Sequence, residues 1–294
     1  MPRDARYDHT FANATRDELW LNGMRVESRL SHGVAIHEND RIVATGDYDE
    51  ELVHRCDESI ATLRKSVVED ARMRLVASAR RVRDVVVTDA TITTTIGGIS
   101  IVGGDVTMLR SLLTTKQTTE WRDQPVIWRN GSAAVLLHEA VGHAAEHDAS
   151  AVKWPSWLSV RDEPPFATDD CGNAARNVDL MREPPSCFRR ESFRDVPLIR
   201  MTNVVVRGNH RYKPREVVEV FLVAGGSYDP LTEIVTIDVA VSTAGAFTIR
   251  KTRAEIAASI AGASGEPIRY PGVICSREGQ ELAVGSFAPV MMTR

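Results

Sequence analysis

A cluster of histidines and carboxylates near the middle of this 294-residue chain is its main candidate for chemistry. His138, His143 and His147 follow one another closely, with Glu139 and Glu146 between them. Two metal-binding patterns overlap here: H-E-x-x-x-H, from His138 to His143, and H-x-x-E-H, from His143 to His147, which is typical of inverzincin peptidases. Neutral imidazoles are common zinc ligands, and a neighbouring glutamate can take a proton from water. The cluster therefore predicts a metal site.

Helix geometry at first favours the second pattern, although it leaves the first one open. On an α-helix, residues four apart differ by about 40° and share a face, whereas residues five apart differ by about 140°. His143 and His147 can thus bind one zinc on a regular helix, but His138 and His143 need a helix loosened to i→i+5 hydrogen bonds. Gly142 permits such a departure. A third interpretation, ordinary surface histidines, is weakened by the apolar residues before His138, which predict burial.

Three separated segments, in the right order, resemble the TldD/PmbA metallopeptidase family. AVLLHEAVGHAAEHD (residues 134–148) resembles the metal-binding helix of the TldD half of the family. RRESFRDVPLIRMTN (residues 189–203) and PGVICSREGQELAVGS (residues 271–286) resemble two later family segments. The resemblance covers residues 126–294, whereas the residues before it match only loosely and look truncated, and the chain looks shorter than a typical member.

The resemblance implies a particular metal site. His138 and His143 fall on the family's histidine ligands, Cys275 falls on its third ligand, and Glu139 falls on its general base. This set implies one Zn²⁺ per chain with an open fourth position, as in catalytic zinc sites. His147 stands where the family usually has glycine, and we expect it to be incidental. We expect Cys56, Cys171 and Cys187 to be ordinary core thiols.

Some residues of the segment 189–203 carry less specific expectations. Arg190, Glu191 and residues 200–203 belong to a family motif, so they are candidates to line the site, but a purely structural role for them is equally compatible with the sequence.

The function implied is that of a zinc-dependent peptidase or amide hydrolase of TldD type, acting on a peptide or a small amide, with a role in peptide or natural-product maturation. We expect a homodimer or a heterodimer with a PmbA-like subunit. The alternative is a non-catalytic peptide-binding or partner subunit of such a complex. An inverzincin-like peptidase remains a third possibility, and it would require His147 and dispense with Cys275.

Composition excludes several other classes of protein. Lys and Arg number 36 against 40 Asp and Glu, which gives a net charge of −4 and no basic surplus for binding nucleic acid. No apolar run is long enough for a spanning helix, and the first residues lack the apolar segment of a signal peptide. We therefore expect no membrane association and a cytoplasmic location.

The pattern of strands and helices predicts an α+β fold with two domains. We expect a truncated mixed domain at residues 1–125 and a mainly antiparallel β domain at residues 126–294 that carries the metal-site helix. The individual expectations are a hairpin over residues 33–48, a helix over 52–82, hairpin turns at Gly97-Gly98 and Gly103-Gly104, a helix over 132–148, a proline-rich loop over 154–187, a strand over 201–206, and short helices over 214–222 and 254–261.

Overall fold

The computed structural model describes most of the chain. The described residues are 10–38, 41–45, 48–82, 85–103, 105–114, 119–121, 124–147, 149, 151–164, 175–183, 189–190, 198–199, 201–213, 216–270, 274–277 and 280–294.

The first part of the chain forms a six-stranded antiparallel sheet with the order β3-β2-β1-β4-β5-β6. Its strands are β1 (Thr10–Leu21), β2 (Met24–Glu38), β3 (Arg41–Thr45), β4 (Arg72–Val82), β5 (Val85–Ile96) and β6 (Ile99–Val102). The helix α1 (Glu50–Arg64) begins at Asp49, whose side chain accepts the Leu52 N–H, and packs on this sheet. The hairpin predicted at residues 33–48 is confirmed, since Glu38 pairs with Arg41.

The helix predicted over residues 52–82 is wrong beyond its first half. Residues Arg72–Val82 form strand β4, in which Met73, Leu75 and Ala77 are buried on the face that meets α1. Apolar residues four apart fit a helix and a strand equally, because side chains four apart share a face of a helix and also share a face of a strand, where the repeat is two residues. The alternation with arginines in between is the strand signal.

The rest of the chain forms a ten-stranded sheet with the order β10-β9-β13-β20-β8-β14-β15-β16-β7, with β17 also paired to β20. Its strands are β7 (Thr119–Glu120), β8 (Val126–Trp128), β9 (Leu158–Asp162), β10 (Val178–Asp179), β13 (Asn203–Gly208), β14 (Val218–Asp229), β15 (Ile234–Ser242), β16 (Gly245–Thr252), β17 (Ile260–Arg269) and β20 (Gly285–Thr293). Two small ribbons, β11 (Arg189–Arg190) with β12 (Leu198–Ile199) and β18 (Ile274–Arg277) with β19 (Gln280–Ala283), complete the strands. Most neighbours in the large sheet are antiparallel, and β13–β20, β8–β14 and β16–β7 are parallel.

Two expectations for this part of the chain are wrong. The short helix predicted at 214–222 is replaced by the start of β14, where Val218, Val220 and Leu222 alternate toward the core. These β-branched and alternating residues outweigh the helix-start signal of Pro214, which lies outside the described residues. The predicted loop at 154–187 contains β9 and β10, since its prolines flank the apolar alternation of β9 without interrupting it.

Helices of the second part lie against the large sheet. The helix α3 (Ala133–Leu137) is followed by a π-helix (His138–His143) and by α4 (Ala144–Glu146). The helix α5 (Arg253–Ser259) begins with a capping box between Thr252 and Glu255, close to the predicted helix at 254–261. The mixed α+β composition is thereby confirmed, with strands in the majority.

An apolar cluster connects the two sheets. The helix α2 (Val106–Thr114) contributes Leu109, strand β6 contributes Ile101, and the large sheet contributes Leu222, Ala224 and Val241. The predicted turn at Gly97-Gly98 is found next to this contact, where both glycines have positive φ, and Gly104 lies outside the described residues. Within the described ranges, no helix combines the length and apolarity needed to cross a membrane.

Candidate metal centre

The hydrogen-bond register of the helix changes at the candidate site. Ala133–Leu137 is α-helical, His138–His143 is π-helical, and Ala144–Glu146 returns to α-helix. A π-turn places residues five apart next to each other. The rings of His138 and His143 accordingly lie with their centroids 4.8 Å apart, at 87° to each other. The helix thus has the departure from regular geometry that the H-E-x-x-x-H pattern requires.

Two contacts hold the π-helix from the outside. A Cβ at Gly142 would lie 1.9 Å from the Met201 sulfur, so the absence of a side chain allows the buried Met201 to pack directly on the helix. The Nε–H of Arg253 donates to the Ala140 carbonyl over 2.8 Å. Arg253 is only 6% exposed, so this buried guanidinium fixes the middle of the segment between the two histidines.

Three potential metal-binding atoms converge at one point. The Nε2 of His138 lies 2.7 Å from the Cys275 sulfur, and the Nε2 of His143 lies 3.5 Å from the same sulfur. One ligand atom from each residue lies within 4.8 Å of the others. Tetrahedral zinc with Zn–N and Zn–S bonds of about 2.0–2.3 Å separates an N and an S ligand by about 3.5 Å. The donor types and their spacing therefore fit zinc after a small opening of the His138–Cys275 contact.

Cys275 reaches this point from a separate β-ribbon. It lies on β18, opposite Leu282 of β19, and it is 4% exposed. Burial raises the pKa of its thiol, and the hydrogen bond from His143 lowers it in part. The thiolate that zinc binds is thus disfavoured until a cation is present.

Glu146 orients His143 toward the other two donors. Its Oε2 accepts from the His143 Nδ1 over 2.9 Å, and its Oε1 accepts the Met201 N–H over 2.8 Å. With Nδ1 bound to the carboxylate, Nε2 faces Cys275. Burial lowers the pKa of His143, but hydrogen bonds to Cys275 and Glu146 outweigh it and raise the pKa to about 10.

Glu139 lies beside the three donors and is 4% exposed. Its Oε2 is 3.7 Å from the His143 Nε2 and has no hydrogen-bond partner among the described residues. Burial raises its pKa to about 7; the charge of His143 opposes this rise, and Glu146 and Asp238 add to it. A carboxyl group with such a pKa can accept and release a proton near neutral pH.

A cavity of about 250 Å³ opens next to Glu139. Glu139 and Val135 from the helix line it, together with Gly225 and Gly226 of β14, Asp238 of β15 and the turn at Gly98–Ser100. The cavity thus lies between the large sheet and the β5–β6 turn of the first sheet, and one wall carries the carboxylate that also faces the three donors.

Met201 of the candidate segment 200–203 packs on the π-helix, whereas the other sequence candidates lie away from the three donors or outside the described residues. His147 is exposed at the end of α4, with its ring 6.3 Å from that of Tyr228. Thr202 and Asn203 donate their N–H groups to the buried Asp162, which is a structural role. Glu191, Arg200, Cys171 and Cys187 lie outside the described residues, and for Arg190 only the strand β11 is described. Cys56 is a buried core thiol that donates to the Ala14 carbonyl.

Residue patterns alone missed two contributors to the site. Arg253 acts through a contact from a distant segment, so no local spacing indicates it. Met201 belongs to the candidate segment 200–203, but its contact with Gly142 could not be predicted from spacing. Asp238 reaches the cavity from a strand whose alternation otherwise indicates only sheet.

Comparison with solved structures relates the fold to known proteins. No protein-family model and no curated protein sequence matches the chain. TldE from Thermococcus kodakarensis matches with a TM-score of 0.50 at 10% identity, over 98% of this chain and 96% of that one. A Thermotoga maritima protein, named for a proposed role as modulator of a DNA gyrase, matches with a TM-score of 0.51 at 10% identity, over 97% and 94%.

The two matches show what this chain is similar to in its fold. Identity this low shows the fold alone. The chain shares its fold with TldE, in agreement with the resemblance of its motifs to the TldD/PmbA family.

Proposed function

We propose that this protein is a zinc-dependent peptidase or amide hydrolase of TldD type. The observation that carries the proposal is the convergence of His138, His143 and Cys275 beside the buried carboxylate of Glu139. Two imidazoles and a thiolate suit zinc, and three protein ligands are typical of catalytic rather than structural zinc sites. In this proposal one Zn²⁺ is held per chain by these three residues.

Zinc bound there would supply Lewis acidity, which polarises an amide carbonyl and makes water a nucleophile near neutral pH. The chain supplies the proton transfers. The Glu139 Oε2 is the acceptor, since it faces the donors and makes no hydrogen bond within the described part of the chain. With a pKa of about 7, the same carboxyl group can then return the proton to the leaving nitrogen.

The substrate would reach Glu139 through the cavity between the two sheets. The cavity wall is made by strand residues and a hairpin turn, with Val135 of α3 on the helix side. We infer a peptide or a small amide as substrate, with a role in peptide or natural-product maturation in the cytoplasm, where a reducing environment keeps the Cys275 thiol available.

The test of the catalytic role is Glu139→Gln. This variant should keep its zinc and lose amide hydrolysis by about 10²–10⁴-fold, which is the usual contribution of a general base. Hydrolysis of a peptide library is followed by mass spectrometry, beside zinc content. Glu58→Gln, at an exposed position of α1, is the matched control and should remain fully active. A zinc-loaded Glu139→Gln protein with normal turnover would overturn the assignment.

We further propose that the chain works as a dimer, with itself or with a PmbA-like subunit, on the basis of its likeness to TldE. Mass photometry of the purified chain tests this proposal. If the protein neither binds zinc nor hydrolyses any peptide, the alternative of a non-catalytic partner subunit takes its place.

A further inference from the structure

The cavity beside Glu139 has an unusual charge for an amide-binding site. Of the residues that line it, Glu139 and Asp238 are the ionisable ones, and both are acidic. Ser100 contributes a hydroxyl, and the remaining lining residues are glycines or apolar. No lysine or arginine is among the described lining residues. A concave site with charges of one sign favours a ligand of the opposite sign.

Two consecutive glycines of β14 allow the two carboxylates to approach the strand closely. Gly225 has a φ of +68°, and a Cβ there would lie 2.1 Å from the Asp238 Oδ2. A Cβ at Gly226 would lie 2.8 Å from the Glu139 Oε1. Any larger residue at either position would displace a carboxylate. The strand is therefore built to hold both acidic groups at this wall of the cavity.

Glu139 also indicates that the cavity is meant to be filled. Its side chain is almost fully buried, and its Oε2 has no hydrogen-bond partner among the described residues. Leaving a buried polar oxygen without a partner is costly, and such an atom in a folded protein calls for a ligand, an ion or a water as its partner. The cavity volume of about 250 Å³ is far above the ~10–15 Å³ that a single water needs.

We propose that Asp238 is a specificity-determining residue that binds a cationic group of the substrate in this cavity. The group is an ammonium or guanidinium, which donates to the Asp238 carboxylate while the amide lies beside Glu139. Its two possible sources are the free α-amine of a peptide and a lysine or arginine side chain. The role of Asp238 in substrate specificity rests on the proposed hydrolase function. Binding of the cation to Asp238 can be measured without turnover.

Three small probes that contain no amide test the binding. L-Alaninol carries a free α-ammonium group, n-butylguanidine carries the cation of an arginine side chain, and 1,2-propanediol is the uncharged counterpart of alaninol. Dissociation constants are measured by NMR titration on the full chain, zinc-loaded and after chelator treatment. We expect a cationic probe to bind and the diol not to bind. Binding of alaninol alone identifies the α-amine, and binding of butylguanidine alone identifies the side chain.

The matched variants are Asp238→Asn and Asp89→Asn. Each removes one exposed carboxylate from a strand; Asp238 lines the cavity and Asp89 does not. Asp238→Asn should weaken binding of the cation by about tenfold or more, because a hydrogen bond to a charged group contributes ~1.5–3 kcal/mol. Asp89→Asn should leave it unchanged. Equal binding of the cation to Asp238→Asn and to the wild type would overturn the proposal. Binding that depends on zinc and not on Asp238 would also overturn it, as would failure of both cations to bind.

Kinetics separate this proposal from the hydrolase function. If the protein hydrolyses peptides, N-acetylation or replacement of lysine by norleucine should lower kcat/KM in the wild type and have no such effect in Asp238→Asn. Hydrolysis without any preference for a cation would leave the hydrolase function intact and contradict the role of Asp238. Cation binding without hydrolysis would support the role of Asp238 in binding and contradict the hydrolase function.

Discussion

At the residue scale, His143 is fixed through both of its ring nitrogens. Its Nδ1 meets the Glu146 carboxylate at 2.9 Å, and its Nε2 lies 3.5 Å from the Cys275 sulfur. Glu146 is itself held by the Met201 N–H. A carboxylate behind a ligating histidine fixes the ring orientation and makes the facing nitrogen a better donor. The glutamate of the H-x-x-E-H pattern thus lies behind the site and supports His143.

Removing the charge of Glu146 should therefore weaken zinc binding without removing any of the three donors. We expect Glu146→Gln to lower zinc affinity by about 10–100-fold, the usual effect of losing such a supporting group. Competition with a chromophoric chelator measures the affinity. Glu51→Gln, at an exposed position of α1, is the control. Unchanged affinity in Glu146→Gln would show that the orientation of His143 does not depend on this carboxylate.

At the element scale, the π-helix is what allows one helix to present both histidines to one point. Leu137 ends the α-helical part, and the helix returns to α geometry at Ala144. Gly142 packs against Met201, and Arg253 binds the Ala140 carbonyl, so the segment is held on two sides. Both partners come from segments distant in sequence, which makes the π register a property of the folded chain.

Gly142→Ala tests this arrangement. The added Cβ would lie 1.9 Å from the Met201 sulfur, so we expect a loss of about 1–3 kcal/mol of stability together with weaker zinc binding. Thermal unfolding and zinc titration measure the two effects. In a Met201→Ala background the same substitution should cost less, because the clashing sulfur is gone. Strictly additive effects of the two substitutions would contradict the packing explanation.

Elements that depend on local spacing could be predicted from the sequence, whereas elements decided by sheet pairing could not. The helix and its two overlapping histidine patterns were visible, because they depend on local spacing. The helix predicted through residues 72–82 was wrong, since Ala71 and Leu75 fit both periods and the neighbouring strand β1 decides between them. The start of β14 was missed in the same way, because sheet pairing outweighed a local helix signal.

At the scale of the whole molecule, a buried ion cluster ties α1 to the first sheet. The Glu18 carboxylate on β1 is inaccessible to solvent and accepts from Arg64 of α1, Arg25 of β2 and the Trp20 indole. Burial raises the pKa of Glu18, but its hydrogen bonds to Arg64, Trp20 and Arg25 outweigh burial and lower the pKa to about 2.

This lowered pKa predicts a pH dependence of stability. A carboxyl group with a folded-state pKa of about 2 and an unfolded value of 4.5 stabilises the fold above pH 4.5, and this contribution is lost as the pH falls toward 2. The difference corresponds to about 3 kcal/mol. Urea unfolding between pH 6 and pH 3 should therefore show a shallower fall in stability for Glu18→Gln than for the wild type. Glu27→Gln, at a more exposed position, should follow the wild type; equal slopes for all three proteins would contradict the assignment.

The relation between the two sheets could not be predicted from the sequence. The cavity beside Glu139 is formed only when the turn at Gly98–Ser100 meets β14 and β15. The contact depends on apolar residues, such as Leu109 and Leu222, that look like ordinary core residues of separate elements. The sequence therefore indicated the residues of the candidate metal centre, but the cavity beside Glu139 and the position of Asp238 required the folded chain.

The most direct measurement of the central claim is zinc content per chain, by elemental analysis, in the wild type, Cys275→Ser and His147→Ala. The account predicts one zinc in the wild type, loss of most of it in Cys275→Ser, and full retention in His147→Ala. Loss with His147→Ala and retention with Cys275→Ser would move the site along the helix to His143, Glu146 and His147 and contradict the account.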